Sequence, residues 1–466
     1  MSPIPHLRLV DFTLDLTTCH THQPFRFGIH TLTQAELAQA RGLVEFSDGS
    51  RTWGQASDLL VPKWFEKDPD KSPADDTAAL VESIKAAAAA AAQADTFETA
   101  FEYWQRLHTL RVCSAERSAG DLLVRGFGVA LLERLVLDAV ARQADLPFHT
   151  ALAKDIYGFA PGRIHPELAD WRVDHTLPKQ PAHSITLRHT VGLLDPLRPS
   201  APSASSPPDA ADQSEKPLSL QEHIQRHGLT HFKIKVAGPE GLERLLEVAQ
   251  VLRECVPAGA RFTLDGNEQF SDLGQLADLL QRVHDAPGGA DFLKGLLFIE
   301  QPLSRTQTFA AEAHAELTAV TAHAPLLIDE ADLDTWSFPE AVALGYGGVS
   351  VKACKGVFRA LLNAGICHTR GGGLFQSGED LTNLPLIALH QDLCLMSALG
   401  IEHLERNGHH YFRGLDHLPQ SAIAYALDAH ADLYARDGRS AHLTIQDGRL
   451  NIASLQCPGF GADLLP

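Results

Sequence analysis

The chain has 466 residues, 44% of them hydrophobic, enough to bury a large core in more than one domain. Its formal net charge of −19 disfavours a nucleic-acid or anionic-membrane partner but leaves room for a small anionic substrate in a locally cationic pocket. The seven cysteines (19, 113, 255, 354, 367, 394 and 457) are odd in number and form no CxxC pair, so they read as reduced, intracellular residues rather than a disulfide frame or a zinc site.

The N-terminus, MSPIPHLRLVDFTLDL, has no basic stretch ahead of a long apolar one, and charges, Pro or Gly interrupt every apolar run. A soluble, cytoplasmic protein with no membrane partner is expected. RLVDFTLDL is a strand candidate, and GLVEFSDGSRTWGQ reads as a hairpin turning at Asp48-Gly49. Between them THQPFRFGIHTLTQ, with Phe25, Arg26, Phe27 and His30, is expected to be a flexible loop. DDTAALVESIKAAAAAAAQAD opens on acidic capping residues and continues as an alanine run of high helix propensity. GDLLVRGFGVALLERLVLDAVARQADLP is a second, strongly apolar helix ending near Leu146-Pro147. An α+β domain over residues 1–182 is the result, completed by the tail at 415–466, where SAHLTIQDGRLNIASLQCPGFG reads as strands returning to it.

From residue 183 to 414 strands and helices alternate. SITLRHTVGLL is the first strand, followed by a Pro-, Ser-, Ala- and Asp-rich insertion at about 196–217 that is expected to be mobile. Strands HFKIKV, RFTLDGN, GLLFIEQP, LLIDEA, GVSVKAC, GGLFQSG and IEHLE follow, each of the first six with a helix pattern behind it, among them TFAAEAHAELTAVTAH. Eight such units predict a (β/α)8 barrel. A doubly wound sheet is the competing fold, but no GxGxxG follows the first strand.

In a parallel barrel the site lies at the C-terminal strand ends. Those ends carry Asp265 with Asn267 on the third strand, Glu300 on the fourth, and Asp329 with Glu330 on the fifth. Carboxylates converging from adjacent strands repel one another, and a hard divalent cation with oxygen ligands, Mg2+, resolves the repulsion. The blander possibility is that each acid caps the following helix or meets an arginine.

Lys233 and Lys235 alternate with Phe232 and Ile234, so both point to one side of the second strand. Lys352 ends the sixth strand, across the barrel, and a metal-bound substrate carboxylate would lie between Lys235 and Lys352. Lys233, as a close cation, is expected to depress the pKa of Lys235 and help it act as a neutral base. The plainer alternatives are an exposed edge strand for the pair and a surface lysine for Lys352, a role that suits Lys355 better.

KIK, DGN, IEQP, LIDE and SVK, in order at successive strand ends, resemble the enolase superfamily, and within it the muconate lactonizing enzyme type of the mandelate racemase/muconate lactonizing enzyme family. The resemblance covers most of the chain and implies a modified, enolase-like barrel under a mixed capping domain. It implies Mg2+, with Mn2+ a possible substitute, on Asp265, Glu300 and Asp329. It also implies Lys235 and Lys352 as an acid/base pair assisted by Lys233. Such enzymes remove the proton α to a carboxylate and stabilise an enediolate; racemisation, cycloisomerisation and syn-elimination all remain open. There are departures. The third strand has DGN where alanine is more usual, KACKGVF lacks the usual glycine pair, GGLFQSGED has no mandelate-racemase histidine, and IEHLERNGHH lacks the Asp-x-Asp of dipeptide epimerases.

The expected enzyme therefore acts on a small carboxylate, and a homo-oligomer is expected. A Schiff-base lysine aldolase on the same barrel and a non-catalytic metal-binding relic are the alternatives. Substrate contacts are expected from Phe25, Phe27 and His30 of the cap, from the TWGQASD segment, and from Asn267, Glu330, Gln376 and Glu379 at the strand ends. Arg406, His409 and Arg413 could meet a distal anionic group or could simply be a solvated cluster.

Overall fold

The computed structural model describes residues 4–28, 30–94, 96–114, 121–199, 217–438 and 440–463. Most of the insertion expected to be mobile, residues 200–216, lies outside them.

The chain opens on an antiparallel sheet of β1 (Leu7–Phe27), β2 (His30–Phe46) and β3 (Arg51–Leu60). The turn at Asp48-Gly49 falls as expected, with Gly49 at φ +86° and Asp48 Oδ1 accepting the Ser50 N–H at 2.9 Å. The loop expected at Thr21–Gln34 is instead the far end of the β1–β2 hairpin, where Phe25 faces Leu32 and Phe27 faces His30. Two register shifts in β1, between Leu9 and Asp11 and between His20 and Phe25, interrupt the alternation by which its length could be read.

Helices α1 (Pro73–Ala92), α2 (Ala100–His108), α3 (Leu122–Gln143) and α4 (Phe148–Ala153) complete this domain. Ser72 and Asp75 form a reciprocal capping box that starts α1 ahead of the alanine run. Helix α3 is buried along almost all its length. It lies so close to β3 that a Cβ at Gly54 would collide with the Leu135 carbonyl, so only glycine permits this approach.

The second domain is a closed barrel of eight parallel strands: β4 (Ser184–Val191), β5 (His231–Lys235), β6 (Arg261–Asp265), β7 (Leu296–Glu300), β8 (Leu326–Ile328), β9 (Gly348–Val351), β10 (Phe375–Gly378) and β11 (His403–Arg406). Pairing of β11 with β4 closes it. The outer layer is α5 (Leu220–His227), α6 (Leu242–Cys255), α7 (Leu273–Asp285) with α8 (Gly289–Leu293), α9 (Leu317–Thr321), α10 (Ser337–Ala343), α11 (Val357–Arg370) and α12 (Ile387–Ala398). After β11 come α13 (Gly408–Tyr411) and α14 (Gln420–Ala429).

The helix expected at Thr308–His323 is shortened to α9 and two 3-10 turns. Its start is pinned by Gln301, whose Nε2 donates to Leu303 O at 2.7 Å and Thr308 Oγ1 at 2.9 Å. The terminal strands also divide their allegiance. β12 (Tyr434–Asp437) pairs with β13 (Ser440–Leu443), and β14 (Arg449–Asn451) runs antiparallel to the start of β4 in the barrel. Only the end of the tail returns to the first domain, where Phe460 stacks on Phe148 at 4.0 Å.

Buried hydrogen bonds join the domains. Arg134 of α3 pairs with Asp58 of β3 and donates to Gln391 of α12 at 2.8 Å, and Gln391 donates to Gln55 O at 2.8 Å. Glu133 accepts the Phe358 N–H of α11 at 2.5 Å. Among the described residues no helix is long and apolar enough to cross a membrane.

Candidate active site at the mouth of the barrel

Strand alternation aims Lys233 and Lys235 into the bore while Phe232 and Ile234 pack outward, and Asp265 and Glu300 end the next two strands beside them. Asp329 follows β8 directly and Lys352 follows β9. The structure thus brings together all six residues expected to carry metal binding and catalysis.

Lys233 is 1% exposed and sits at the centre of a carboxylate ring. Its Nζ lies 3.0 Å from Asp265, 2.7 Å from Glu300, and 2.8 Å from both Glu379 and Glu405. Burial works to lower its pKa, but the four carboxylates outweigh that and hold it well above the ordinary lysine value. Lys233 is thus shared among four carboxylates rather than standing as a free cation beside Lys235. Lys235 Nζ donates to Asp265 Oδ2 at 2.6 Å.

Glu300 is fully buried, and that burial, reinforced by Asp265 and Glu379, pushes its carboxyl well above the usual range. Asp329 behaves oppositely. Burial opposes its charge, yet Lys352, Lys355 and Lys233 hold it well below the ordinary aspartate value. Lys352 donates to Asp329 Oδ2 at 2.7 Å and lies 4.2 Å from the centre of the Trp64 ring, a cation–π contact. Burial disfavours the Lys352 charge, but Asp329 more than restores it and the pKa rises. Lys355 is not the surface residue expected. It is buried and donates to Asp329 O at 2.6 Å and Ser350 Oγ at 2.7 Å, fixing the metal-candidate carboxylate from behind.

Asn267 donates its backbone N–H to Asp265 Oδ1 at 2.8 Å and its side-chain N–H to Glu330 Oε1 at 3.2 Å. Glu379 accepts from Lys233, Arg188 and, at 2.8 Å, Ser377 Oγ. Phe25 and Phe27 of the hairpin line a tight cleft of about 20 Å³ together with Trp64, Lys235, Lys352 and Asn407. His30 packs edge-on to Phe27 at 5.7 Å.

Gln376, Arg406 and His409, expected to contact substrate, are held away from this cleft. Gln376 donates to Ala360 O of α11 at 2.9 Å, because its place on β10 turns it toward the helix layer. Arg406 is buried between Asp380 at 3.0 Å and Asp392 at 3.2 Å and donates to Asn383 O at 2.8 Å, so its guanidinium holds the frame together. His409 lies on the outer side of the barrel wall against His189, at 3.1 Å. Arg413 is exposed.

Several participants escaped the sequence reading. Glu405 ends the eighth strand and was accessible to the same strand-end rule; it accepts from Thr190 Oγ1 at 2.7 Å as well as from Lys233. Trp64 and Lys67 come from the segment after β3 and carried no signal. Lys67 reaches the barrel loops, 2.6 Å from Glu268 and 3.3 Å from Glu330. Arg305 reaches back to Phe65 O at 2.6 Å and Trp64 O at 3.1 Å.

Residues 218–465 match the family described as "Enolase C-terminal domain-like". No curated protein matches the sequence. Among solved structures, a dipeptide epimerase from Enterococcus faecalis, complexed with Mg and L-Leu-L-Tyr, aligns over 97% of this chain and 99% of its own at 14% identity and TM-score 0.61. A muconate lactonizing enzyme from Mycobacterium smegmatis, complexed with muconolactone, aligns over 98% and 97% at 16% identity and TM-score 0.61. An enolase from Bradyrhizobium, complexed with magnesium and mandelic acid, aligns over 99% and 97% at 16% identity and TM-score 0.59. At these identities the likeness is one of fold. With the family match spanning more than half of its length, the chain belongs to the enolase superfamily.

Proposed function

We propose that this protein is a Mg2+-dependent isomerase or lyase that removes the proton α to the carboxylate of a small substrate. The observation that carries the reading is the placement of the two cleft lysines. Lys235 pairs with Asp265 and Lys352 with Asp329, on either side of Glu300, so they flank the carboxylate row from opposite directions. Asp265, Glu300 and Asp329 suit a hard ion: all three are buried oxygen donors with no thiol or imidazole among them. The raised carboxyl of Glu300 also marks a cluster short of positive charge. Mn2+ fits the same donors. When bound, Mg2+ would offset the negative charge that develops on the substrate carboxylate.

The chain's own residues divide the remaining work. Lys233, locked among four carboxylates, positions the ligand ring and takes no part in proton transfer. Lys352, held charged by Asp329 and the Trp64 face, serves as proton donor or cationic stabiliser. Lys235 is then the base at the α-carbon. Phe25 and Phe27 cover the cleft and exclude water from that carbon. This division favours a one-base lyase or cycloisomerase. A Schiff-base aldolase would have to use Lys235, since Lys233 and Lys352 are held charged by their carboxylate partners.

The test is α-proton exchange in D2O over acid sugars, N-acyl amino acids and lactones. Lys235→Ala should lose exchange by about 10²–10⁴-fold, the usual contribution of a general base. Lys352→Ala should keep exchange and slow product formation. If each variant loses exchange from one enantiomer only, the enzyme is a two-base racemase or epimerase. Wild-type exchange and turnover in both variants would sink the assignment.

A further inference from the structure

On β4 the side chains of Arg188 and Thr190 enter the bore and meet Glu379 and Glu405. His189, between them, therefore points outward, into the space under α5 and α13. There it meets three further imidazoles. Its ring centre lies 4.4 Å from His410, 5.1 Å from His409 and 4.7 Å from His223. One donor atom each from His189, His409 and His410 can be chosen so that all three lie within 4.8 Å of one another.

A mutually hydrogen-bonded histidine pair accounts for only part of this cluster. His189 Nδ1 and His409 Nε2 are 3.1 Å apart and can share one proton. That leaves both ring nitrogens of His410, which is 4% exposed, without a hydrogen-bond partner, along with His223 Nδ1 and His409 Nδ1. Each neutral imidazole keeps one lone-pair nitrogen, and those converging here from three elements could be matched by a single bound ion.

We propose that His189, His409 and His410 form a second metal site, outside the barrel bore, that binds a borderline divalent transition ion of the Zn2+ class, with His223 or water in the fourth position. Imidazole nitrogens favour such an ion over Mg2+. Tetrahedral ligation at about 2.0–2.1 Å needs the three donor atoms to close in from separations of up to 4.8 Å. An outer carboxylate is also in place. Asp195 lies 3.7 Å from His410 and is itself anchored by Tyr411 OH at 2.8 Å and the Gly192 N–H at 2.7 Å. The ion would fasten β4 to α13, which directly follows the end of β11 where Glu405 and Asn407 line the cleft.

The test uses the full chain, stripped with chelator and kept in excess Mg2+ so that the carboxylate site is filled. One Zn2+ per chain should survive desalting, and Co2+ in its place should give the intense visible absorption of a four-coordinate ion. His410→Ala and His409→Ala should each weaken Zn2+ binding by about 100-fold or more, while Asp329→Asn should leave it unchanged. The proposal is overturned if the wild type retains no Zn2+, if its Co2+ spectrum is weak and six-coordinate, or if Asp329→Asn abolishes retention. Undiminished binding in either folded histidine variant overturns it as well. Should a histidine variant fail to fold, the wild-type spectrum and the Asp329 control decide.

Discussion

Two regions of buried charge in this molecule are built from different cations. Between the domains and behind the eighth strand the cations are arginines, Arg134 on Asp58 and Arg406 on Asp380 and Asp392. At the mouth of the barrel four of them are lysines, Lys233, Lys235, Lys352 and Lys355, set against Asp265, Glu300, Asp329, Glu379 and Glu405, with Arg188 also paired to Glu379. A guanidinium is always charged and forks onto fixed acceptors, so it suits a joint. An ammonium is a point charge whose proton can leave, and it suits chemistry. The type of cation thus distinguishes the frame from the site where burial alone does not, with Arg188 on Glu379 the exception.

The largest effect should come from breaking the mouth. Glu300→Gln should keep the fold but end turnover and weaken Mg2+ binding beyond the ~10–100-fold typical of losing an outer-shell partner. Unchanged Mg2+ titration calorimetry would exclude it as a ligand. Breaking the frame should act on stability instead. Arg406→Met strands Asp380 and Asp392 and should cost about 3–5 kcal/mol in urea unfolding, whereas a direct substrate contact would raise KM at unchanged stability.

The smallest effect sharpens the boundary between the regions. Burial lifts the Glu133 carboxyl to about 8, against the Phe358 N–H bond and the neighbouring arginines. A raised folded-state pKa contributes stability that is full below the unfolded value, near 4.5, and is lost as pH rises toward 8. Glu133→Gln keeps an acceptor for Phe358 and should flatten that decline by about 1–3 kcal/mol, since each pKa unit corresponds to about 1.4 kcal/mol. An unaltered pH profile of the melting temperature would show that Glu133 is already ionised.

What could be read from the sequence follows a physical divide. Strand-end acids and lysines recur once per βα unit, so Asp265, Glu300, Asp329, Lys235 and Lys352 were visible as a register. Glu405 obeys the same rule and was passed over. The hairpin at Phe25–Phe27 was hidden because irregularities in β1 break its period. Arg406 and Gln376 had the right residue type and the wrong face, which only the closed barrel decides. Trp64, Lys67 and the histidine cluster come from segments far apart in the chain, and no spacing announces such meetings.

Trp64 lies within contact of the Lys352 ammonium, and the backbone carbonyl beside it is held by Arg305. An indole facing a fixed positive charge has its excited state shifted by that charge. Any event that moves the Lys352 proton or draws the ammonium toward a ligand therefore alters the emission of this one fluorophore among five. The protein carries its own optical gauge of site occupancy, readable in a cuvette before any substrate is known.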